Sequence, residues 1–216
     1  MRIKGHRASP KAMRKFFKLG FSPESSIGRA AELVTYDLAG FGPQTIHEAA
    51  RSGKPMPGFD YSLLAEGKRI NALPNGIILT LDRSLHDSLD FDVVVNPLGW
   101  KIISNRLGNI VKKIAGDDIE LLPVAIVGRE GKILRSDFCV MNVLQTLPVI
   151  SELKTVRSRD KSSVLKLAVV QSKVSPKVHV FRVKEWRWPV LIDEVVQQAL
   201  IKAPHDGLTF SLVEVE

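Results

Sequence analysis

A helix pattern that occurs twice is the feature that most constrains the fold of this chain. A shift of 89 residues aligns the two copies without a gap and pairs Ser104 with Asp193, Leu107 with Val196, Ile110 with Ala199, Val111 with Leu200, Asp117 with Asp206, Ile119 with Leu208 and Leu121 with Phe210. In each copy a Ser or Asp precedes the helix, where its side-chain oxygen can cap the first turn, and apolar residues follow at helical spacing. The pattern predicts two similar strand–turn–helix–strand units with helices at about 104–114 and 193–203. The alternative is a chance likeness between two ordinary amphipathic helices.

Strand-like segments surround both helices. Apolar and β-branched residues dominate 34–38, 77–82, 91–96, 119–128, 132–144, 164–171, 177–183 and 208–215. Gly- and Pro-rich stretches at 40–44, 51–60 and 71–76, and a charged stretch at 152–163, predict turns and loops. Pro123 indicates that its strand lies at a sheet edge or carries a bulge. These patterns predict an α+β fold with few helices and a mixed or mainly antiparallel sheet.

The apolar faces of these helices and strands predict a core. Its predicted members are Val93, Val95, Leu107, Ile110, Val111, Ile114, Leu121, Val124, Val140, Val143, Leu165, Leu167, Val196, Leu200, Leu208 and Phe210. The 216 residues are 44% apolar and 25% charged, which is typical of a globular protein.

The formal net charge of +8 is concentrated at the N-terminus. Residues 1–20 contain seven Lys and Arg and no acidic residue, whereas the rest of the chain carries 24 Lys and Arg against 23 Asp and Glu. We therefore predict a basic arm at 1–20 and a single α+β domain at 21–216, irregular over 21–90 and more regular over 91–216. Such an arm can bind nucleic acid. The alternatives are a solvated tail or a short helix docked through Met13, Phe16, Phe17 and Leu19.

Composition also bears on the compartment. No window approaches the roughly 20 apolar residues that a membrane-spanning helix needs, and the basic N-terminus is not followed by the apolar core of a secretory signal. Cys139 is the single cysteine, so an internal disulfide is excluded. These features favour a cytoplasmic protein.

The sequence carries no complete catalytic or metal-binding motif. His47-Glu48 begins like the zinc motif HExxH, but Arg51 stands where the second histidine must be. A phosphate-binding glycine loop and a G-x-S-x-G elbow are also missing. Cys139 is predicted to be a small buried side chain in an apolar strand, and His179 to be half-buried or at the surface rather than a ligand. We therefore expect no enzyme activity, catalytic residue, metal ion or cofactor, although a site assembled from distant residues leaves little trace in a sequence.

Tryptophan and arginine give the best indication of a binding site. Trp186, Arg187 and Trp188 stand together in a predicted turn before the second helix, and Trp100 lies in the related turn before the first. These residue types are enriched in the energetic centres of protein interfaces. In an extended chain, Trp186 and Trp188 would share a face. These four residues are the candidate partner-binding site, and the alternative is that the rings pack on the second helix.

Four motifs follow one another in the second half of the chain. They are Ile103-Ser104-Asn105-Arg106-Leu107, Leu121-Leu122-Pro123-Val124, Met141-Asn142-Val143-Leu144 and Val180-Phe181-Arg182-Val183 with Trp186. In this order the segment from about 90 to 216 resembles a family of immunity proteins from bacterial polymorphic toxin systems. Asn105 replaces the commoner acidic residue, and Met141 replaces a leucine.

The resemblance implies a protein that binds and neutralises a cognate toxin by stoichiometric inhibition and has no catalysis of its own. If the toxin is a nuclease, the inhibiting face should be acidic, and Asp117, Asp118 and Glu120 are the candidates. Two other functions stay open. One is a nucleic-acid-binding accessory protein that uses the basic arm, and the other is an enzyme whose site is assembled in space.

Overall fold

The computed structural model describes residues 13–22, 34–38, 41–44, 64, 66–70, 77–81, 91–94, 96, 99–128 and 132–216. The helices described over their full length are α1 (Asn105–Ala115) and α2 (Glu194–Lys202), and short 3₁₀ turns lie at Gly116–Asp118 and Gln171–Lys173. The strands are β1 (Phe16–Phe21), β2 (Val34–Leu38), β3 (Phe41–Gln44), β4 (Ile77–Leu81), β5 (Val93–Val94), β6 (Ile102–Ser104), β7 (Ile119–Val127), β8 (Ile133–Val143), β9 (Thr146–Leu147), β10 (Val156–Arg157), β11 (Val164–Lys166), β12 (Ala168–Val169), β13 (Val180–Val183), β14 (Trp186–Asp193) and β15 (Leu208–Val215).

These strands form two large sheets and one hairpin. The first sheet has the order β12-β15-β1-β14-β13-β9, and the second has the order β3-β2-β4-β7-β8-β6-β5. Most neighbouring strands are antiparallel, but the pairs β12–β15, β13–β9 and β4–β7 are parallel. β10 and β11 pair only with each other within the described part of the chain. The predicted α+β class with a mixed, mainly antiparallel sheet is confirmed.

The two predicted units have the same topology. β6, α1 and β7 form the first unit, and β14, α2 and β15 form the second. β8 lies between β6 and β7 and is antiparallel to both, and β1 lies between β14 and β15 in the same way. Each unit is therefore a strand–helix–strand crossover whose two parallel strands are separated by one antiparallel strand. The central strand follows the first unit in sequence and precedes the second.

The strand register confirms the alignment at a shift of 89 residues. Ser104 and Val124 both pair with Phe138 in the first unit, and Asp193 and Val213 both pair with Phe16 in the second. The agreement continues along the central strands, where Cys139 and Phe17 occupy equivalent positions and so do Met141 and Leu19. A chance likeness of two helices would not reproduce the pairing of the strands around them.

Side-chain caps start both helices, as predicted. The Ser104 hydroxyl accepts a hydrogen bond from the Leu107 backbone N–H at 3.4 Å, and Asp193 Oδ1 accepts one from the Val196 N–H at 3.1 Å. α1 ends at Gly116, whose φ of 55° lies in the left-handed region that favours glycine. The caps fix where each helix leaves its strand, because the capping residue is also the last residue of that strand.

Both units contribute to one core between the two sheets. α1 and α2 contact each other, and each buries the residues that the repeat predicted. The shared core consists of Phe17, Leu19, Val93, Ile103, Leu107, Val111, Ala115, Ile119, Cys139, Met141, Val143, Val180, Val190, Ile192, Val196 and Leu200. A second core covers the opposite face of the first sheet and includes Phe16, Phe181, Leu191 and Val213.

Most of the predicted core is confirmed, with Ile110, Ile114, Leu121, Leu208 and Phe210 half-buried at its margin. The prediction that Leu165 belongs to the core is wrong, because this residue is 69% exposed on β11 of the separate hairpin. Val95 lies outside the described residues.

Several predicted strand boundaries are corrected. Residues 186–189 are the first half of β14 rather than a turn, and 41–44 form β3 rather than part of a turn. The predicted strand at 91–96 is reduced to Val93–Val94, that at 164–171 is broken at Leu167, and the predicted loop at 152–163 contains β10. The two turns at 51–60 and 71–76 lie outside the described residues.

Pro123 lies on an inner strand, at a position where that strand is paired on one side only among the described strands. β7 is an inner strand of its sheet, but its pairing with β4 begins at Val124, one residue after the proline. A register irregularity in the pairing with β8 follows between Val124 and Ile126. The missing N–H of Pro123 therefore falls where β7 has β8 as its only described neighbour.

The predicted basic arm at 1–20 is wrong over its last residues. Phe16–Phe21 is β1, the central strand of the second unit, so a boundary at residue 20 cuts through a strand. The short helix considered for this segment is also wrong. Phe16, Phe17 and Leu19 are buried because β14 and β15 pair with β1 on both sides. Residues 1–12 lie outside the described part.

Candidate binding surface

The turn that carries Trp100 is held by one side chain. Asn96 Nδ2 donates to the carbonyl oxygens of Val94 and Trp100 at 3.2 and 2.8 Å, and its Oδ1 accepts from the Trp100 N–H at 3.1 Å. Gly99 completes the turn with a φ of 66°. Trp100 itself is only 7% exposed. It therefore belongs to the interior of the protein and is not an accessible anchor.

Trp188 is the exposed tryptophan of the candidate set. Its side chain is 63% exposed, and it lies next to Gly99, where an added Cβ would be 3.7 Å from Trp188 Cε3. The 89-residue shift aligns these two positions with each other. The segments that lead into the two helices thus meet at Gly99 and Trp188.

The other two candidates do not extend this exposed surface. Trp186 is half-buried and packs against the second core. A register irregularity between Arg182 and Val183 interrupts the pairing of β13 with β14 at this point, so simple alternation along β14 does not describe Trp186 and Trp188. The backbone of Arg187 belongs to β14, and its side chain lies outside what the structure describes.

Two further residues, Phe21 and Lys101, belong to the segments around Trp188. Leu19 pairs with Val190, and along these antiparallel strands Phe21 comes two residues after Leu19 and Trp188 two residues before Val190. Lys101 Nζ lies 5.0 Å from the centroid of the Phe21 ring, within the range of a cation–π interaction. We call Phe21, Gly99, Lys101 and Trp188 the Trp188 surface.

Three positively charged residues, Lys101, Arg182 and Lys18, interact electrostatically at this surface. Burial, followed by the charges of Arg182 and Lys18, lowers the pKa of Lys101 from 10.5 to about 8. Arg182 is 7% exposed, and burial lowers its pKa to about 10. A half-buried lysine beside a buried guanidinium is therefore positioned to attract an anionic group.

No signal within a short window could have identified Lys101. Its neighbours Phe21 and Arg182 are 80 and 81 residues away in the sequence, on β1 and β13 of the first sheet. Gly99 and Asn96 carry a weak signal, since Asn and Gly are the residues that tight turns favour.

Two cations of the predicted arm are engaged within the fold. Arg14 Nη2 donates to Asp193 Oδ2 at 2.8 Å and to the Val178 carbonyl at 2.7 Å. Lys15 Nζ lies 3.1 Å from Glu194 Oε1. These contacts hold the start of β1 against the first turn of α2. Arg14 and Lys15 therefore stabilise the fold and do not belong to a separate arm.

The remaining sequence candidates have structural roles. Cys139 is 2% exposed, its thiol lies 3.6 Å from the Ile103 carbonyl oxygen, and burial raises its pKa to about 12. His179 is half-buried, as predicted, and its Nδ1 lies 2.8 Å from Asp193 Oδ2. Among the described residues no group of three or more His, Cys, Asp or Glu could hold a metal ion. His47 lies outside that part of the chain.

The acidic candidates do not form one face. Glu120 is half-buried, and its Oε2 accepts hydrogen bonds from the Ile70 N–H and from Asn142 Nδ2, both at 3.0 Å. Asp117 is 99% exposed, with Lys112 Nζ 3.7 Å from its carboxylate. Glu120 therefore anchors the segment at 66–70 to the sheet, and it is not available to a partner as a free carboxylate.

Fold and surface together define an α+β scaffold in which two crossover units share one core and meet at an exposed tryptophan. The chain belongs to the Immunity protein family (Imm11), whose model matches residues 23–215. The predicted resemblance is thus confirmed, and the match begins well before residue 90. No curated protein matches the chain. No helix in the described residues is long and apolar enough to cross a membrane.

Proposed function

We propose that this protein neutralises a cognate toxin in the cytoplasm by binding it with one-to-one stoichiometry. The family match over residues 23–215 carries the proposal. The packed scaffold agrees with it, because inhibition by binding needs a firm surface rather than reacting groups. The low thiolate content expected of Cys139, whose pKa burial raises to about 12, agrees with a protein that acts without a cysteine nucleophile.

The Trp188 surface is the proposed centre of the contact. An exposed tryptophan offers a large apolar area at little cost in conformational entropy, and such residues dominate binding energy at interfaces. Of the four residues that the sequence indicated, Trp188 is the one whose described side chain is largely exposed. Trp100 is buried and Trp186 is half-buried, so these two residues are not proposed as contacts.

Co-purification from the native host tests the proposal. The chain carries an affinity tag behind a flexible linker at its C-terminus, and the complex is washed at high salt to remove bound nucleic acid. We expect one protein to be retained at equal stoichiometry. That protein should stop growth when it is expressed alone in a naive host, and growth should return when this chain is co-expressed.

Two outcomes would contradict the proposal. One is a retained protein whose toxicity does not change on co-expression. The other is a chain that retains only nucleic acid at low salt, which would favour the accessory-protein function. A truncation of residues 1–12 is a useful control, because it removes cations outside the described fold and should leave a protein–protein complex intact.

A further inference from the structure

Lys101 occupies an electrostatically unfavourable position. Its ammonium group stacks on Phe21, and the nearby guanidinium of Arg182 repels it. Within the part of the chain that the structure describes, no carboxylate forms an ion pair with Lys101. Charges removed from water are normally paired, and the cation–π contact with Phe21 is a weaker compensation than an ion pair in the same place.

The equivalent position in the other unit shows that a lysine is not needed for the fold. The shift of 89 residues aligns Lys101 with Val190, which is fully buried in the shared core. An apolar residue at this point therefore suits the same strand–helix geometry. We therefore expect the charge on Lys101 to cost stability that valine would not, and a perturbed ionisable group is a candidate for function.

We infer that the Trp188 surface binds an acidic side chain of the toxin, with the carboxylate paired to Lys101 and the adjoining apolar groups packed on Trp188. This inference rests on the proposed function and names the chemistry of the partner at that site. The carboxylate would gain a partly desolvated cation, and the ring would exclude water from the ion pair. Gly99 lies against Trp188, where an added Cβ would be 3.7 Å from Trp188 Cε3, and the Phe21 ring lies under the Lys101 ammonium group.

A protein carboxylate fits the surface better than a nucleic-acid phosphate. Proteins that bind single strands align several exposed aromatic rings along a basic groove. Trp188 is the only aromatic residue among the large hydrophobic side chains that are exposed in the described part of the chain. The region outside the first 20 residues is also close to neutral, with 24 basic against 23 acidic side chains.

Affinity measurements with the co-purified toxin test the inference. Lys101→Gln should weaken binding about 30-fold or more, since removing one member of a desolvated charge pair leaves the other charge unpaired. Trp188→Ala should weaken it by a similar factor. Lys177→Gln is the matched control, because it removes the same charge from an exposed turn before β13 and should change the dissociation constant by less than about threefold.

Zero-length cross-linking of the unmodified complex gives a second readout that does not depend on any variant. A carbodiimide activates a carboxylate, which then forms an amide with an amine in direct contact. We expect Lys101 to be joined to an Asp or Glu of the toxin, located by mass spectrometry of the digested complex. Thermal melting of each variant, recorded before the binding assay, confirms that it is folded.

The outcomes separate the inference from the proposed function. If a one-to-one toxin complex forms, but Lys101→Gln binds as wild type and Lys101 yields no cross-link to the toxin, the inference is overturned and the proposed function stands. If the retained partner is nucleic acid and Lys101→Gln reduces its binding, a phosphate is the ligand and both proposals fall. A weakened Lys101→Gln complex together with the Lys101 cross-link establishes the acidic contact.

Discussion

The two crossover units share a scaffold and differ in the residues that lead into their helices. The first unit caps α1 with Ser104, buries Trp100 just before it, and places Lys101 between them. The second unit caps α2 with Asp193 and exposes Trp188. Register, helix length and buried helix positions are similar, so they are requirements of the fold. We expect the residues that differ before each helix to be the ones that serve binding or other local roles.

The capping residues provide the largest predicted effect. Asp193 caps α2 and also accepts hydrogen bonds from Arg14 and His179 in a nearly buried site. We expect Asp193→Ala to lower the free energy of unfolding by about 4 kcal/mol, because it removes the cap and leaves the Arg14 charge without its carboxylate. Ser104→Ala should cost about 2 kcal/mol, because it removes the cap and also the hydrogen bond that the hydroxyl donates to Asp92 Oδ1 at 2.6 Å.

Urea denaturation of both variants checks this contrast. Asp193→Asn is the control, since its side-chain oxygen can still cap the helix while the negative charge is lost. It should fall between wild type and Asp193→Ala. Equal losses for Asp193→Ala and Ser104→Ala would mean that the contact with Arg14 adds nothing to the second unit.

The two caps also show what a sequence can predict. A cap and its helix lie within three residues of each other, so Ser104 and Asp193 were identified correctly, and so was most of the buried helix stripe. β1 was missed, because its neighbours β14 and β15 lie more than 150 residues further along the chain. The sequence predicts a basic arm, a solvated tail or a short docked helix at 1–20, whereas pairing on both sides makes Phe16–Phe21 a central strand.

The binding surface was only partly predictable for the same reason. Tryptophan suggested an interface from residue type alone, and that reasoning selected Trp188 together with the buried Trp100. Exposure depends on the sheet around each ring, which no local pattern encodes. Lys101 was missed because its unusual environment arises from Phe21 and Arg182, which are distant in sequence.

The tryptophans provide the next largest effect. Trp100→Ala should lower the free energy of unfolding by about 3 kcal/mol, because it leaves a cavity in place of a buried ring. Trp188→Ala should change it by less than about 0.5 kcal/mol, since the ring is largely exposed. Thermal and urea unfolding of the two variants measure the difference. A large loss for Trp188→Ala would show that this ring supports the fold, and its effect on binding would then have to be reinterpreted.

Close packing of α1 on its sheet provides a smaller contrast. A Cβ at Gly108 would lie 2.7 Å from Cys139 Sγ and 3.4 Å from the Leu121 methyl carbons. Gly108→Ala should therefore destabilise the protein by about 1–2 kcal/mol, although alanine has a higher helix propensity than glycine. The equivalent residue of α2 is Gln197, which is half-buried, and Gln197→Ala should have an effect within about 0.5 kcal/mol.

A double-mutant cycle identifies the cause of the Gly108 effect. Cys139→Ala removes the sulfur that the new Cβ would meet, so the pair Gly108→Ala/Cys139→Ala should be less destabilised than the sum of the two single variants. Additive losses would point to a clash with Leu121 instead and would locate the tight contact on β7 rather than β8.

The smallest predicted effect concerns Lys101, and it has a defined dependence on pH. The pKa of Lys101 is about 8 in the folded protein against 10.5 as the ordinary value. Below pH 8 the side chain is charged in both states, and the cost of holding that charge in the fold is fully present. Between pH 8 and 10.5 the folded state releases the proton before the unfolded state does, so the contribution of Lys101 to stability rises with pH.

Lys101→Met makes the first unit resemble the second, in which Val190 is apolar and buried. We expect the variant to be more stable than wild type by about 1 kcal/mol at pH 7, with the difference shrinking and then reversing as the pH rises through 8 towards 10.5. Groups that do not interact with Lys101, such as the Cys139 thiol, titrate alike in both proteins and cancel in the comparison, whereas Arg182 and Lys18 lose the repulsion from Lys101 in the variant. Lys177→Met, at an exposed lysine, should show no such trend. A constant difference between wild type and Lys101→Met from pH 7 to 10.5 would mean that the Lys101 charge is not penalised by the fold, which removes the reason for an anionic partner at that site.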